Sequence, residues 1–224
     1  MKRWTTLFDE GRFGLPRRAA DRDVVFSRGD VANHAWVLRR GAVEILQPLD
    51  DGRAVLVKVL VGPCLFGVIE QLGGAPDYLE TVHVLGNADI VAVDSAAFRT
   101  MLRADAALSY ECLVDVGTAF CVAARQESAR LQPLEAQVAS VLLAWADATG
   151  ETTSTGLRLG VKRSQEDIAA AVGCSERSVT RVLADWKEHH VVDKSGGRFT
   201  LVDVERLRTQ AGVLHDSLVH RLAA

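Results

Sequence analysis

Between residues 22 and 98 the apolar residues come in short runs punctuated by glycine. The runs are 24–26, 35–38, 42–46, 54–60, 81–85 and 90–93, and Gly29, Gly41, Gly52, Gly62, Gly67, Gly73, Gly74 and Gly86 lie around them. Short β-branched and aromatic runs bounded by turn residues predict strands. Asp50-Asp51-Gly52 supplies a hairpin turn. Many short strands with regular turns predict a sandwich, jelly roll or barrel.

The period changes near residue 95. Asp94 begins a helix with a polar cap. Residues 104–131 then hold no proline and a single glycine, Gly117. Leu108, Leu113, Val116, Phe120, Ala123 and Ala124 recur at helical spacing. A helix of that length exceeds what a small β-domain covers, so its apolar stripe calls for a partner, most simply a second copy of itself. Pro133 marks a break or a helix start, which places a hinge at 131–134. Residues 134–148 read as another helix with Val138, Val141, Leu142 and Trp145 on one face, 149–155 as a polar loop, and 157–161 as a short strand.

Residues 164–183 carry the strongest local pattern. A helix-turn-helix needs a small residue where its helices cross, a glycine four places later for a turn with positive φ, and a branched apolar residue six places beyond. Ala169, Gly173 and Val179 meet those requirements, with Ile168, Val172 and Val182 as further apolar contacts. Ser164 caps the first helix, with Asp167 in the capping-box position, and Ser175 caps the second. The solvent face of the second helix then holds Glu176, Arg177, Thr180 and Arg181. Arginines near the start of such a helix suit the O6 and N7 of guanine. Ser164, Gln165, Ser175 and Ser178 suit phosphates. Downstream, two β runs flank Ser195-Gly196-Gly197, with Lys194 and Arg198 beside the turn, which reads as a wing whose cations face a DNA backbone. Asp203 caps a terminal helix bearing Val204, Leu207, Ala211, Leu214, Leu218 and Leu222 on one face.

Composition narrows the field without deciding it. The 224 residues are 48% hydrophobic and 25% charged, ordinary values for a globular protein. No apolar run is long enough to span a membrane, and no signal-peptide core follows Met1, so the expected location is cytoplasmic with no membrane partner. A net charge of −3 does not announce a nucleic-acid binder, although residues 158–198 are mildly basic. Cys64, Cys112, Cys121 and Cys174 form no C-x-x-C pair, and buried small hydrophobes are the simplest reading. The six histidines are scattered, which argues against a metal-binding cupin and against an enzyme.

A β-roll, a long helix, a hinge and a winged helix-turn-helix, in that order, resemble the CRP/FNR superfamily of transcription regulators over roughly 20–210. The matching pieces are 26–30, 36–43, 165–175 and 179–183. The resemblance implies an α+β fold. It comprises an N-terminal β-roll (a double-stranded β-helix like that of cyclic-nucleotide-binding domains), a long dimerisation helix and a C-terminal winged helix-turn-helix. The expected domains are 1–103, 104–132 and 133–224. It also implies double-stranded DNA as partner, a homodimer, and RNA polymerase as a further candidate partner.

The effector pocket departs from the family's cAMP-binding pattern. That pattern has Phe-Gly-Glu and, after a loop, Arg-Ser-Ala. Here Phe66-Gly67 is followed by Val68, Glu70 stands two places late, and Tyr78, Leu79 and Glu80 occupy the Arg-Ser-Ala positions. The two hydroxyl residues that contact adenine from the dimer helix align with Val122 and Ala123. A cyclic phosphate there would be desolvated without a cation, so cAMP is not the expected effector. No cysteine precedes Cys64, which argues against an iron–sulfur cluster. His34, His83 and Cys64 are isolated and leave haem an open candidate. No cofactor is otherwise expected. The recognition helix also departs, reading Glu176-Arg177 where many relatives read Arg-Glu. The alternative function is an effector-independent regulator or architectural factor whose β-roll docks other proteins, with Tyr78, Leu79 and Val68 plugging the pocket.

Overall fold

A computed structural model describes residues 3–49, 53–129, 132–212 and 218–220. The described chain forms two compact units, one from 3–43 and 61–124, the other from 44–60 and 125–220.

The first unit is built on β1 (Arg17–Ala19), β2 (Val24–Phe26), β5 (Cys64–Phe66), β6 (Thr81–Asp94) and the start of β3 (His34–Pro48). Both β3 and β6 are longer than the sequence pattern suggests. The runs at 35–38 and 42–46 are one strand, and so are 81–85 and 90–93. Gly41 (φ +88°) and Gly86 (φ +79°) bend these strands instead of ending them. A Cβ at Gly41 would lie 2.1 Å from the Asn87 carbonyl oxygen, so the close approach of β3 and β6 requires glycine.

The core of this unit joins Val37, Leu65 and Val91 to Phe98 of α3 (Ser95–Ala104) and to Leu108 and Cys112 of α4 (Ala106–Ala129). Asp94 caps α3 by accepting the Ala96 and Ala97 N–H groups, as the sequence suggests. Trp4 and Leu7 of a short helix the sequence did not reveal, α1 (Arg3–Asp9), and Phe13 in the turn that follows it complete the core. The Arg3 and Trp4 N–H groups donate to the Glu111 carboxylate at 2.5 and 3.3 Å, and Arg3 Nε donates to Asp105 at 2.6 Å. That hydrogen bond, helped by the Leu108 N–H, holds the Asp105 carboxyl below the usual carboxylate range.

In the second unit α5 (Leu134–Thr149) is the centre, with Val138, Leu142, Leu143 and Trp145 all buried. Pro133 stands at its N-cap. Against it pack α6 (Gln165–Val172) and α8 (Val204–Ala211). A small sheet runs in the order β7 (Glu151–Thr153), β8 (Gly156–Arg158), β10 (Arg198–Leu201), β9 (Val192–Ser195). The expected loop at 149–155 is therefore a hairpin, since the threonines have high β-propensity and Gly156 (φ +137°) permits the turn.

The end of β3 and β4 (Ala54–Val61) form a second hairpin in this unit, closed by the Leu49 N–H donating to the Arg53 carbonyl. Its Asp50-Asp51-Gly52 turn lies outside the described residues. The terminal helix ends at Ala211, where Gly212 turns the chain, and Val219–His220 instead pair as a strand, β11, in parallel with β4. Leu214 and Leu222 lie outside the described residues. No described helix is long and apolar enough to cross a membrane, and no cluster of metal-ligating side chains occurs among the described residues.

Candidate nucleic-acid interface

The helix-turn-helix forms from α6 and α7 (Glu176–Glu188). Ser164 and Asp167 make a reciprocal capping box, with Oγ accepting the Asp167 N–H at 2.9 Å and the Asp167 carboxylate accepting the Ser164 N–H at 2.6 Å. Gly173 takes φ +80° and donates to the Ala169 carbonyl at 2.9 Å, ending α6. Ser175 caps α7 through the Ser178 N–H, and the two hydroxyls share a hydrogen bond of 2.9 Å. Ala169 and Val179 are buried, as the crossing requires.

The register of α7 divides its residues sharply. Val179, Val182, Leu183 and Trp186 are buried, while Glu176, Arg177, Thr180 and Arg181 are exposed. Arg177 and Arg181 make no ion pair within the described residues. Thr180 is tied to α6, its single hydroxyl proton shared between Gln165 Oε1 at 2.6 Å and the Glu176 carbonyl at 2.9 Å. Gln165 and Thr180 thus orient each other.

β9 and β10 meet at Gly196 (φ +58°) and Gly197 (φ +78°), two consecutive positive-φ residues that suit a tight hairpin turn. Lys194 is exposed and its Nζ lies 4.5 Å from the centre of the Phe199 ring. Arg198 is half-buried, with its Nε out of solvent and without a hydrogen-bond partner. Two cations were not assigned from sequence. Arg158 Nη2 lies 3.9 Å from where a Cβ of Gly196 would sit, and the Lys162 stem lies 3.6 Å from that of Gly197. The Arg163 N–H donates to the Gly197 carbonyl and brings that segment to the wing. A basic residue two places before Ser164, just after the expected strand at 157–161, was the available signal, but only the hairpin register placed it.

The candidate effector region lies in the first unit. Phe66, Val68, Glu70 and Tyr78 are buried. Tyr78 stacks on Phe26 with ring centres 3.7 Å apart. Its hydroxyl accepts from Trp36 Nε1 at 2.9 Å and donates to the His34 carbonyl at 2.7 Å. Burial pushes the phenol up. A Cβ at Gly67 would fall 2.9 Å from Trp36. The Glu70 carboxylate accepts the Leu79 N–H at 3.2 Å. Leu79 is exposed and plugs nothing, and Glu80 is half-buried. The Val122 side chain lies outside the described residues. The cysteines divide: Cys64 and Cys112 are buried as expected, Cys174 is half-buried, and Cys121 is exposed on α4.

An arginine-bearing helix held outward by a capped turn, beside a glycine-tipped wing, defines a winged helix-turn-helix DNA-binding protein. Residues 136–210 match the Crp-like helix-turn-helix domain and residues 16–105 the cyclic nucleotide-binding domain. Among curated relatives, the transcriptional regulator LdrP of Thermus thermophilus is 26% identical over 88% of this chain and 96% of its own. The cAMP-activated global transcriptional regulator Vfr of Pseudomonas aeruginosa is 26% identical over 80% of this chain and 86% of its own. A solved CRP-family transcriptional regulator of Thermus thermophilus, 23% identical, superposes with a TM-score of 0.74 over 87% of this chain and 96% of that one. The chain belongs to the CRP/FNR superfamily of DNA-binding transcription regulators.

Proposed function

We propose that the protein is a cytoplasmic homodimer that reads a two-fold symmetric DNA site and does not answer to cAMP. The observation that carries the reading is the solvent face of α7, where Arg177 and Arg181 stand exposed and without an ion pair among the described residues. In this reading they reach base edges, with Glu176 and Thr180 beside them. Ser164, Gln165, Ser175, Ser178, Lys194 and Arg198 serve the backbone, joined by Arg158 and Lys162. Dimerisation rests on α4, where Tyr110, Leu113, Val114 and Phe120 are exposed along one stripe. Half-sites would lie one helical turn apart. The division into 1–103, 104–132 and 133–224 assigns sensing, dimerisation and reading, and RNA polymerase is the partner through which a bound dimer acts.

The effector region supports the second half of the proposal. Tyr78 stands where cAMP-binding members place an arginine, and its hydroxyl is already engaged on both sides. The Leu79 N–H is taken by Glu70, so an incoming phosphate would meet a carboxylate. This internal anion also favours the alternative reading, an effector-independent factor whose β-roll serves as a docking module. Electrophoretic shifts on duplexes selected from a random pool test the proposal. The R177A/R181A double variant should lose sequence preference and keep weak, salt-sensitive binding. Retention of full specificity would reject the assignment. cAMP should leave both affinity and the unfolding midpoint unchanged.

A further inference from the structure

The second unit contains a feature that the DNA-reading surface does not use. The described residues of its hairpin, 44–49 and 53–60, touch the fold that carries the helix-turn-helix both at the base and near the tip. At the base, Glu44 is buried and its carboxylate accepts the indole N–H of Trp145 in α5. Arg163, also buried, places Nη2 3.8 Å from the other Glu44 oxygen, and its guanidinium lies 5.4 Å from the centre of the Trp145 ring. Arg163 immediately precedes Ser164, the residue that caps α6. Near the tip, Arg53 Nη1 donates to the Gly173 carbonyl at 2.9 Å. Val55 lies so close that a Cβ on Gly173 would fall 2.7 Å from its Cγ1. Along β4, Val59 and Leu60 pair with β11.

We propose that the hairpin is a clamp and that Glu44 and Arg53 are positioning residues for DNA reading. The two bonds act at the two ends of the first helix of the motif. Glu44 fixes Arg163 ahead of the α6 N-cap, and Arg53 fixes the carbonyl of the turn that launches α7. The angle between α6 and α7 sets where Arg177 and Arg181 arrive. Holding both ends of α6 therefore fixes the reading face before DNA binds and lowers the ordering cost of recognition. Clamping does not cover the reading face, since Glu176, Arg177, Thr180 and Arg181 stay exposed with the hairpin in place. β3 is a single strand from His34 to Pro48, with its first residues in the first unit and its last in the second. The clamp thus begins on a strand of the unit whose core holds α4.

The inference rests on the DNA-binding reading, and its test separates the two. Full-length wild type, E44Q, R53A and R53K are compared by amide hydrogen exchange and by binding to a duplex selected with the wild type and to an unrelated duplex. E44Q keeps an acceptor for Trp145 and removes the charge facing Arg163. R53A removes an exposed side chain and leaves the core intact. The clamp predicts that E44Q and R53A speed exchange of the 173–178 amides by about tenfold or more. It predicts a loss of affinity for the selected duplex of about tenfold, with the unrelated duplex bound within about twofold of wild type, and recovery in R53K. Unchanged exchange and unchanged selected-duplex affinity in R53A would overturn it. If the wild type selects no duplex, the DNA-binding reading fails, and the exchange data alone decide whether the clamp exists.

Discussion

A side chain at position 173 has neither the backbone nor the space. The residue sits at φ +80°, and a Cβ would press on Val55 at 2.7 Å. Gly173→Ala should cost about 1–3 kcal/mol from backbone strain, before any shift of Val55 is counted. Urea unfolding of the full-length protein measures it, and a cost near zero would show that the turn relaxes freely. A second residue-scale effect concerns acid. The Arg3 guanidinium holds Asp105 low, so the folded form binds this proton less readily than the unfolded chain does. Its stabilising contribution is therefore complete above about pH 4, the ordinary carboxylate value, and is lost as pH falls through the depressed one. Asp105→Asn should be less stable than wild type at neutral pH, and the gap should narrow in urea titrations run near pH 3. A gap independent of pH would assign the effect to packing.

Among the elements, α4 makes the clearest claim. Tyr110, Leu113, Val114 and Phe120 are separated by helical steps and all are exposed, Phe120 by 75%. In the proposed dimer, a stripe of that kind is the seam of a helix pair. Phe120→Asp places a charge in the seam and should yield monomers in sedimentation velocity, with α1 and the β-roll still folded. A dimer of undiminished affinity would move the interface elsewhere. The same helix was readable in advance, because proline-free helical periodicity is a local signal. So was the helix-turn-helix, whose caps Ser164 and Ser175 and turn Gly173 lie within a dozen residues of one another. The strands were harder. Gly41 and Gly86 looked like strand ends, and only the crossing of β3 over Asn87 shows that they are bends. The β7–β8 hairpin was hidden in a polar, threonine-rich stretch whose pairing partner gives it meaning. α1 carries too few residues to show a period, and it is fixed by Glu111 and Asp105, more than a hundred positions away. In the candidate site, the exposed face of α7 could be listed from sequence, whereas Arg158 and Lys162 could not be placed at the wing without the register of β8 against β10.

At the scale of the molecule, contacts do not follow the order of the chain. Residues 44–60 stand far from 125–220 in sequence yet belong to one compact unit. The sequence could not show this, because Glu44, Arg53 and Val55 look like ordinary strand and turn residues until Trp145, Arg163 and Gly173 are brought beside them. One practical result concerns modularity. Regulators of this superfamily invite exchange of parts, a sensing half from one joined to a reading half from another at the proline after the long helix. Here such a graft at Pro133 would carry Trp145 and Arg163 away from the carboxylate they share and deliver them to a host whose own strand bears some other residue at that place. A transplant faithful to this protein must take two pieces of chain, the reading half and the distant hairpin that fits it. By the same logic, substitutions in the hairpin and in α5 are free to drift only together.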